Sequence, residues 1–410
     1  MIDALVLGAG AAGLRAGAEL LSKGVSTLVV EARDRIGGRV HSVEDRELGR
    51  VIELGAEFVH GAPGELRRAK LKLEEMDGRQ MALENGRLRE VTSQVRSALR
   101  KLAQAKGAGT AQSWLATADL DPAERELARH FIEGFFAAPA AFVGIEGVAN
   151  DQGLRSRRVL GGYDRAFRGY ADALRAEGSL RLGFTAARVR WRKGRVEVRG
   201  RNAGGDAQEV EARRLLVTLP VSVLSAPDGP RFDPPLSRKR EALAWVRTGK
   251  VVKALLRFRE AFWVARELRK ADFFHAPGAP FPAWWRGSPR DVPLLTGWAG
   301  GPAAERMPRE DRLGLALDTV SRVFGRPRRE IDSLIEGARI VDWSEDPFSR
   351  GAYAYELAGA PHDVLRQLAA PEEDTLFFAG EATSLIGRGG TVDGALETGL
   401  RAARQLLRNL

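Results

Sequence analysis

The 410-residue chain contains no cysteine, which excludes disulfides, thiolate metal sites, thiol nucleophiles and attachment of any cofactor through sulfur. Histidine is scarce at five residues and shows no ligand spacing, so no metal site is expected. Long apolar runs are missing too. No stretch approaches the roughly 18 to 20 residues that span a bilayer, and Met1-Ile2-Asp3 leads into an apolar run without a basic leader. A cytoplasmic protein without a membrane segment is therefore expected. Lysine is rare among the 64 basic residues, which outnumber 54 acidic ones to give a formal charge of +10. Pairs such as Arg67-Arg68 and Arg328-Arg329 have acids between them, whereas a nucleic-acid surface shows a denser basic stripe, so no nucleic-acid partner is expected. What remains is ordinary globular material, 44% hydrophobic and 29% charged. Its length exceeds one hydrophobic core and implies two domains, built from interleaved segments.

The strongest local signal lies at the start. Ala4-Leu5-Val6-Leu7 suits a buried strand, Gly8-Ala9-Gly10-Ala11-Ala12-Gly13 follows, and Leu14 to Lys23 has helical composition. In this order Gly8 permits the tight turn, Gly10 lets the backbone approach a pyrophosphate, and Gly13 lets the helix pack on the strand. A second strand, Ser26 to Val30, ends in Glu31, eighteen residues beyond Gly13. A carboxylate there accepts hydrogen bonds from a ribose and repels a 2′-phosphate. These features point to a dinucleotide and leave FAD and NAD open.

The continuation Glu31-Ala32-Arg33-Asp34-Arg35-Ile36-Gly37-Gly38-Arg39, then Leu54-Gly55-Ala56-Glu57-Phe58-Val59-His60, resembles the flavin-containing amine oxidase superfamily of monoamine oxidases, polyamine oxidases and flavin histone demethylases. The closing stretch is similar as well: Phe377-Phe378-Ala379-Gly380-Glu381, then Gly387, Gly389 and Gly390 before a helix from about Thr391. The resemblance implies FAD, lined by Gly38, Arg39, Gly55, Ala56 and Glu57, with Ala32 and Arg33 beside the ribose acid. It further places Val189 by the adenine, Glu381 at the ribityl or phosphate region, and the Thr391–Val392 helix start at the flavin edge, Val392 donating through its backbone.

For the chemistry, Lys253 stands out in Val251-Val252-Lys253-Ala254-Leu255-Leu256. A lysine in an apolar strand is anomalous, and the family holds one there against a water at the flavin; Lys250 competes if the register is misread. Trp343 to Tyr353 resembles the segment that walls the flavin face. Tyr353 matches one tyrosine of an aromatic sandwich, and Thr391 occupies the place of the second, with Trp343, Trp298 or Tyr355 as stand-ins. Ala352 stands where monoamine oxidases link the flavin, so the FAD is expected to be non-covalent. His60 resembles a histidine near the flavin in animal polyamine oxidases, where a titrating imidazole would govern amine protonation. His41, His130, His275 and His362 are assigned to surface or packing.

The fold class expected is α/β, a Rossmann-like doubly wound FAD domain (1–77, 152–228 and 337–410) interleaved with a smaller α+β substrate domain (78–151 and 229–336). The activity implied is hydride transfer from an amine α-carbon to flavin N5, giving an imine, with O2 as acceptor and a small-molecule amine as partner. Two alternatives stay open. One is an L-amino-acid oxidase, with Arg286, Arg350 or Arg388 clamping the carboxylate; the other is a non-catalytic FAD-binding interaction protein.

Overall fold

In a computed structural model, residues 1–60, 64–105, 109–145, 156–264 and 268–409 are described. The strand Ile2–Leu7 is buried along its last four residues, as expected of a strand covered on both faces. It pairs in parallel with Thr27–Val30 on one side and Ala207–Val217 on the other. The long strand Ala207–Val217 is shared. Its first half pairs antiparallel with Arg195–Arg201, and its last three residues pair in parallel with Leu376–Phe378. Leu180–Arg181 closes one edge of this eight-stranded sheet, while Thr185–Arg192 and Arg231–Asp233 extend the other. The C-terminal run is thus zipped into the same sheet as the N-terminal fingerprint.

Two helices cover one face. Ala11–Ser22 and Val392–Leu407 cross so closely that a Cβ on Gly399 would lie 2.2 Å from the Ala12 carbonyl oxygen. The core beneath them gathers Val6, Leu14, Leu20, Leu216, Phe377, Leu396 and Leu406.

A second, seven-stranded sheet runs Ile335–Asp342, Val251–Phe258, Leu294–Gly300, Ala283–Arg286, Ala271–His275, Arg79–Glu84 and Arg87–Glu90. Most of its ladders are antiparallel; Ala271–His275 with Arg79–Glu84 is parallel. Its core is aromatic, with Phe258, Trp263, Phe274, Phe281 and Trp284. Three helices, Thr92–Ala103, Ala111–Thr117 and Pro122–Phe135, build a separate small core. The last begins at a capping box, in which Asp121 accepts from the Glu124 amide and Glu124 accepts from the Asp121 amide. Arg231–Asp233 belongs to the first sheet and Ile335–Asp342 to the second. The expected borders at 228/229 and 336/337 therefore fall before one strand and inside the other. The border at 151/152 lies outside the described residues.

Candidate active site

A cavity of about 920 Å3 is lined by residues of both sheets and of the helices. One part of its wall is the fingerprint. Gly8 adopts φ +104°, and a Cβ there would meet Thr218 Oγ1 at 2.6 Å, so only glycine fits this turn. Gly13 does not line the cavity: a Cβ on it would sit 1.8 Å from the Gly8 carbonyl oxygen, so its role is the close seat of helix on strand. At Gly10, by contrast, a Cβ would have nothing within 4 Å, and this residue opens to the cavity together with Ala12. Glu31, at the end of the second strand, accepts from the amides of Ala9 (2.8 Å) and Arg33 (3.0 Å). Arg33 extends to Asp346 and Ser349, tying the loop after Glu31 to the segment before Tyr353; Ala32 also lines the cavity.

The next part of the wall joins four stretches of chain. Arg39 donates to the Ala352 carbonyl and pairs with Glu381 at 2.9 Å. Glu381 also accepts from the amides of Ala354 and Gly390. One carboxylate thereby fixes the guanidinium, the strand after Tyr353 and the glycine loop. Gly55 must be glycine, because a Cβ would lie 2.0 Å from the Arg39 carbonyl oxygen. At the start of the last helix the Thr391 hydroxyl accepts from the Gly394 amide and donates to the Arg388 carbonyl. Gly38, Ala56, Gly380, Thr391 and Val392 all line the cavity. Two helix N-termini, Ala11–Ser22 and Val392–Leu407, thus open onto one cavity, an arrangement suited to an extended ligand with negative charge at more than one point.

Lys253 is 1% exposed. Its Nζ donates to the carbonyls of Glu53 (2.6 Å) and Gly55 (3.2 Å) and to Glu57 Oε2 (2.8 Å). The other oxygen of Glu57 accepts from Arg158 (2.9 Å) and the Trp285 indole (3.1 Å). The Lys253 and Arg158 charges beside Glu57 hold its carboxyl below the usual range although burial pushes the other way. Lys250 is exposed, which settles the register in favour of Lys253. Burial pushes the nearby Glu53 carboxyl up to about 7.

Around this charged spot stands an aromatic wall. Phe58 meets Trp285 edge-on at 5.3 Å, Trp285 leans on Trp298, and His60 packs edge-on against Phe135, which stacks on Phe131. The Tyr353 hydroxyl donates to the Phe135 carbonyl, and its ring would lie 3.4 Å from a Cβ on Gly390. The Trp343 indole donates to the Leu54 carbonyl. Thr391, in the place of a second tyrosine, serves as a helix cap.

Two expectations require correction. Val189 lies inside the sheet core with Leu5, Val30 and Val198; the cavity wall there is Phe184, Thr185 and Ala186. His60 is held down to about 4 by burial, with Ser156 Oγ 3.2 Å from its Nδ1. His130 and His275 are not incidental packing residues: His130 Nε2 lies 3.2 Å from His275 Nδ1, and His275 Nε2 lies 2.7 Å from Gln80 Oε1, all lining the cavity. Sequence reasoning also missed Trp285. Trp285 pairs with Phe273 across the ladder, a pairing that carries no local signal.

A sheet carrying a dinucleotide turn, joined to a second sheet that offers a buried lysine and an aromatic cage, defines a flavoenzyme acting on small molecules. The chain belongs to the flavin-containing amine oxidoreductase family, whose model matches residues 11–407; it is a flavin-dependent amine oxidase with FAD as cofactor. Polyamine oxidase 3 of Oryza sativa subsp. japonica is 27% identical, covering 98% of this chain and 88% of that protein. Polyamine oxidase 2 of Arabidopsis thaliana is 28% identical over 97% and 86%. In fold the chain is similar to cyclohexylamine oxidase from Brevibacterium oxydans (TM-score 0.83, 20% identity, 99% of both chains) and to putrescine oxidase bound to putrescine (TM-score 0.81, 21% identity, 99% of both chains). Among the described residues no helix is long and apolar enough to cross a membrane.

Proposed function

We propose that this protein oxidises a small amine at its α-carbon, holding FAD without a covalent bond along the wall from Gly8 to Val392. The observation that carries the reading is the joining of that wall, in one cavity, to Lys253 and the aromatic cage. FAD held along this wall by Gly10, Glu31, Arg39 and the Val392 helix terminus would supply the redox chemistry, as acceptor of the hydride from the carbon beside the amine nitrogen and donor of electrons to O2, the imine product being hydrolysed by water.

The residues of the chain do the rest. The backbone at Gly10, the amides of the first turn after it and Glu31 receive the pyrophosphate and ribose. Arg39 and the Val392 helix terminus stabilise negative charge where the flavin edge lies. Tyr353, Trp343 and Trp298 present flat apolar surfaces that orient the substrate. Lys253, fixed by two carbonyls and Glu57, is a rigid cation at the inner end of the cage. It also disfavours an ammonium there, so the amine is bound in its neutral form, its proton left to bulk water, and is competent to release hydride.

The amino-acid-oxidase alternative has less to stand on. Arg286 is bound to Asp272 and Glu74, Arg350 to Asp228, and Arg388 to Asp393, and none of the three lines the cavity. The test is hydrogen peroxide formation by FAD-loaded enzyme across primary amines, polyamines and amino acids, followed by acid precipitation. Peroxide with amines and all yellow colour in the supernatant is the expected result. Peroxide with amino acids alone, or colour retained on the pellet, would overturn it.

A further inference from the structure

One row of residues across the second sheet runs along the cavity. Lys253 pairs with Trp298, Trp298 with Ala283, and Ala283 with His275. Residues directly opposite in a ladder share a face, and all four of these line the cavity. Three strand spacings separate Lys253 from His275, a span on the order of 14 Å at about 4.8 Å per strand. Beside this row Trp285 pairs with Phe273, and both rings line the cavity as well. The sheet therefore lays an aromatic floor from the buried lysine to a histidine three strands away.

His275 is the middle of a hydrogen-bonded chain. Its Nε2 lies 2.7 Å from Gln80 Oε1, and its Nδ1 lies 3.2 Å from His130 Nε2. Burial pushes His275 down to about 3 and His130 to about 4, which leaves both imidazoles uncharged, and a neutral imidazole has one donor nitrogen and one acceptor nitrogen. With Gln80 Oε1 accepting from His275 Nε2, His275 Nδ1 accepts from His130 Nε2, and His130 Nδ1 is an acceptor. Turning the Gln80 amide reverses each bond and makes His130 Nδ1 a donor. In both directions the chain ends on this nitrogen, which has no partner among the described residues. Polar atoms inside a protein are seldom left in that state. His130 lines the cavity, so a molecule held there can supply the missing bond. A hydroxyl both donates and accepts, and it satisfies the chain whichever way it runs. Leu127, one turn before His130 on its helix, and Phe273, on the strand of His275, line the cavity beside the pair and suit an apolar body behind that hydroxyl.

We infer that His130, held by His275 and Gln80, is a distal subsite for a hydroxyl group on the substrate, at the end of the aromatic floor remote from Lys253. This rests on the reading of the cavity as an amine-oxidising site and adds a preference to it: an amine that carries a hydroxyl at the far end of an apolar chain long enough to cross the floor.

The experiment mixes FAD-loaded enzyme anaerobically with butylamine, octylamine and decylamine, each against the amino alcohol of the same chain, and follows flavin reduction. The quantity read is the alcohol-to-alkylamine ratio of reduction rate over half-saturating concentration. A butyl chain leaves its hydroxyl over Trp298 and Trp285 without a partner, whereas an octyl or decyl chain brings it to His130. The ratio should rise by about tenfold or more from the butyl pair to the longer ones, mainly through half-saturation, because a buried hydroxyl without a partner costs at least that factor. In the double variant His130→Phe/His275→Phe the rings remain and the chain is gone, so the rise should be lost. A wild-type ratio that does not rise with length overturns the inference, whether or not the variant folds. A rise that persists in the folded, FAD-binding double variant overturns it too, since the hydroxyl then binds elsewhere. Both results leave the amine-oxidase reading intact, because the alkylamines still reduce the flavin. Flavin that dithionite bleaches but no amine or amino alcohol does removes both.

Discussion

Lys253 carries two duties that mutation can separate. It is a cation beside the cage, and it is also the partner that makes a buried Glu57 tolerable. Lys253→Met leaves Glu57 with Arg158 and Trp285 and should cost less than the about 3 to 5 kcal/mol of a buried charge left without any partner. Adding Glu57→Gln removes the carboxylate that has lost one of its two cations and should restore part of that loss, whereas flavin reduction by amine stays slow. Urea unfolding and stopped-flow absorbance on the two variants check this; a double variant that regains the wild-type rate would reduce Lys253 to scaffolding. The lysine itself was legible in the sequence, because a polar residue among Val251, Val252, Ala254 and Leu255 contradicts its strand. Its partner was not. Glu57 lies 196 positions away, on a different stretch of chain, and only the packing of the two sheets brings them together. The histidine pair was hidden for the same reason: His130 and His275 are 145 positions apart, on a helix and a strand, and neither has a local pattern that marks it.

At the scale of elements, the first turn was the most readable feature, since strand, turn and helix are contiguous and each glycine has its own steric reason. The reasons differ, and so should the consequences. Gly13→Ala drives a methyl into the Gly8 carbonyl and should destabilise the apoprotein by about 1 to 3 kcal/mol, as overpacking does. Gly10→Ala meets nothing within 4 Å in the protein, so apoprotein stability should stay within about 0.5 kcal/mol while FAD binding weakens. Thermal unfolding of apoprotein together with a flavin fluorescence titration checks both; equal effects of the two variants would contradict the division of roles. Val189 shows the limit of such reading. The strand around it is legible, but its register slips between Ala186 and Arg188, and the cavity is met by Thr185 and Ala186 while Val189 fills the core.

At the scale of the whole molecule, which segments join which sheet depended on pairings far apart in sequence. Arg231–Asp233 lies beside Thr185–Arg192, and Ile335–Asp342 beside Val251–Phe258; composition carried no mark of either. The fold's burial of histidine has a measurable result. His41, His60 and His130 are held down to about 4 and His275 to about 3, chiefly by burial, whereas in the unfolded chain they protonate near 6.5. Between about 6.5 and 4 the unfolded state therefore binds more protons, and stability falls as pH drops. Glu53, pushed up to about 7, works the other way between about 7 and 4.5, but one group opposes four. Each of these half-buried histidines contributes less than the about 1.4 kcal/mol per pH unit of a fully buried one in that window. The urea midpoint at pH 5 should lie clearly below that at pH 7.5; a flat or rising midpoint would mean that the histidines are charged or solvated in the native state.

The central claim, that one cavity joins FAD to an amine, is tested most directly by the visible absorption of the FAD-loaded protein in anaerobic titration with amines. The account expects the flavin bands to bleach with an amine and to return when O2 is admitted, in the wild type and more slowly in Lys253→Met. Flavin bands that dithionite removes but no amine does would contradict it.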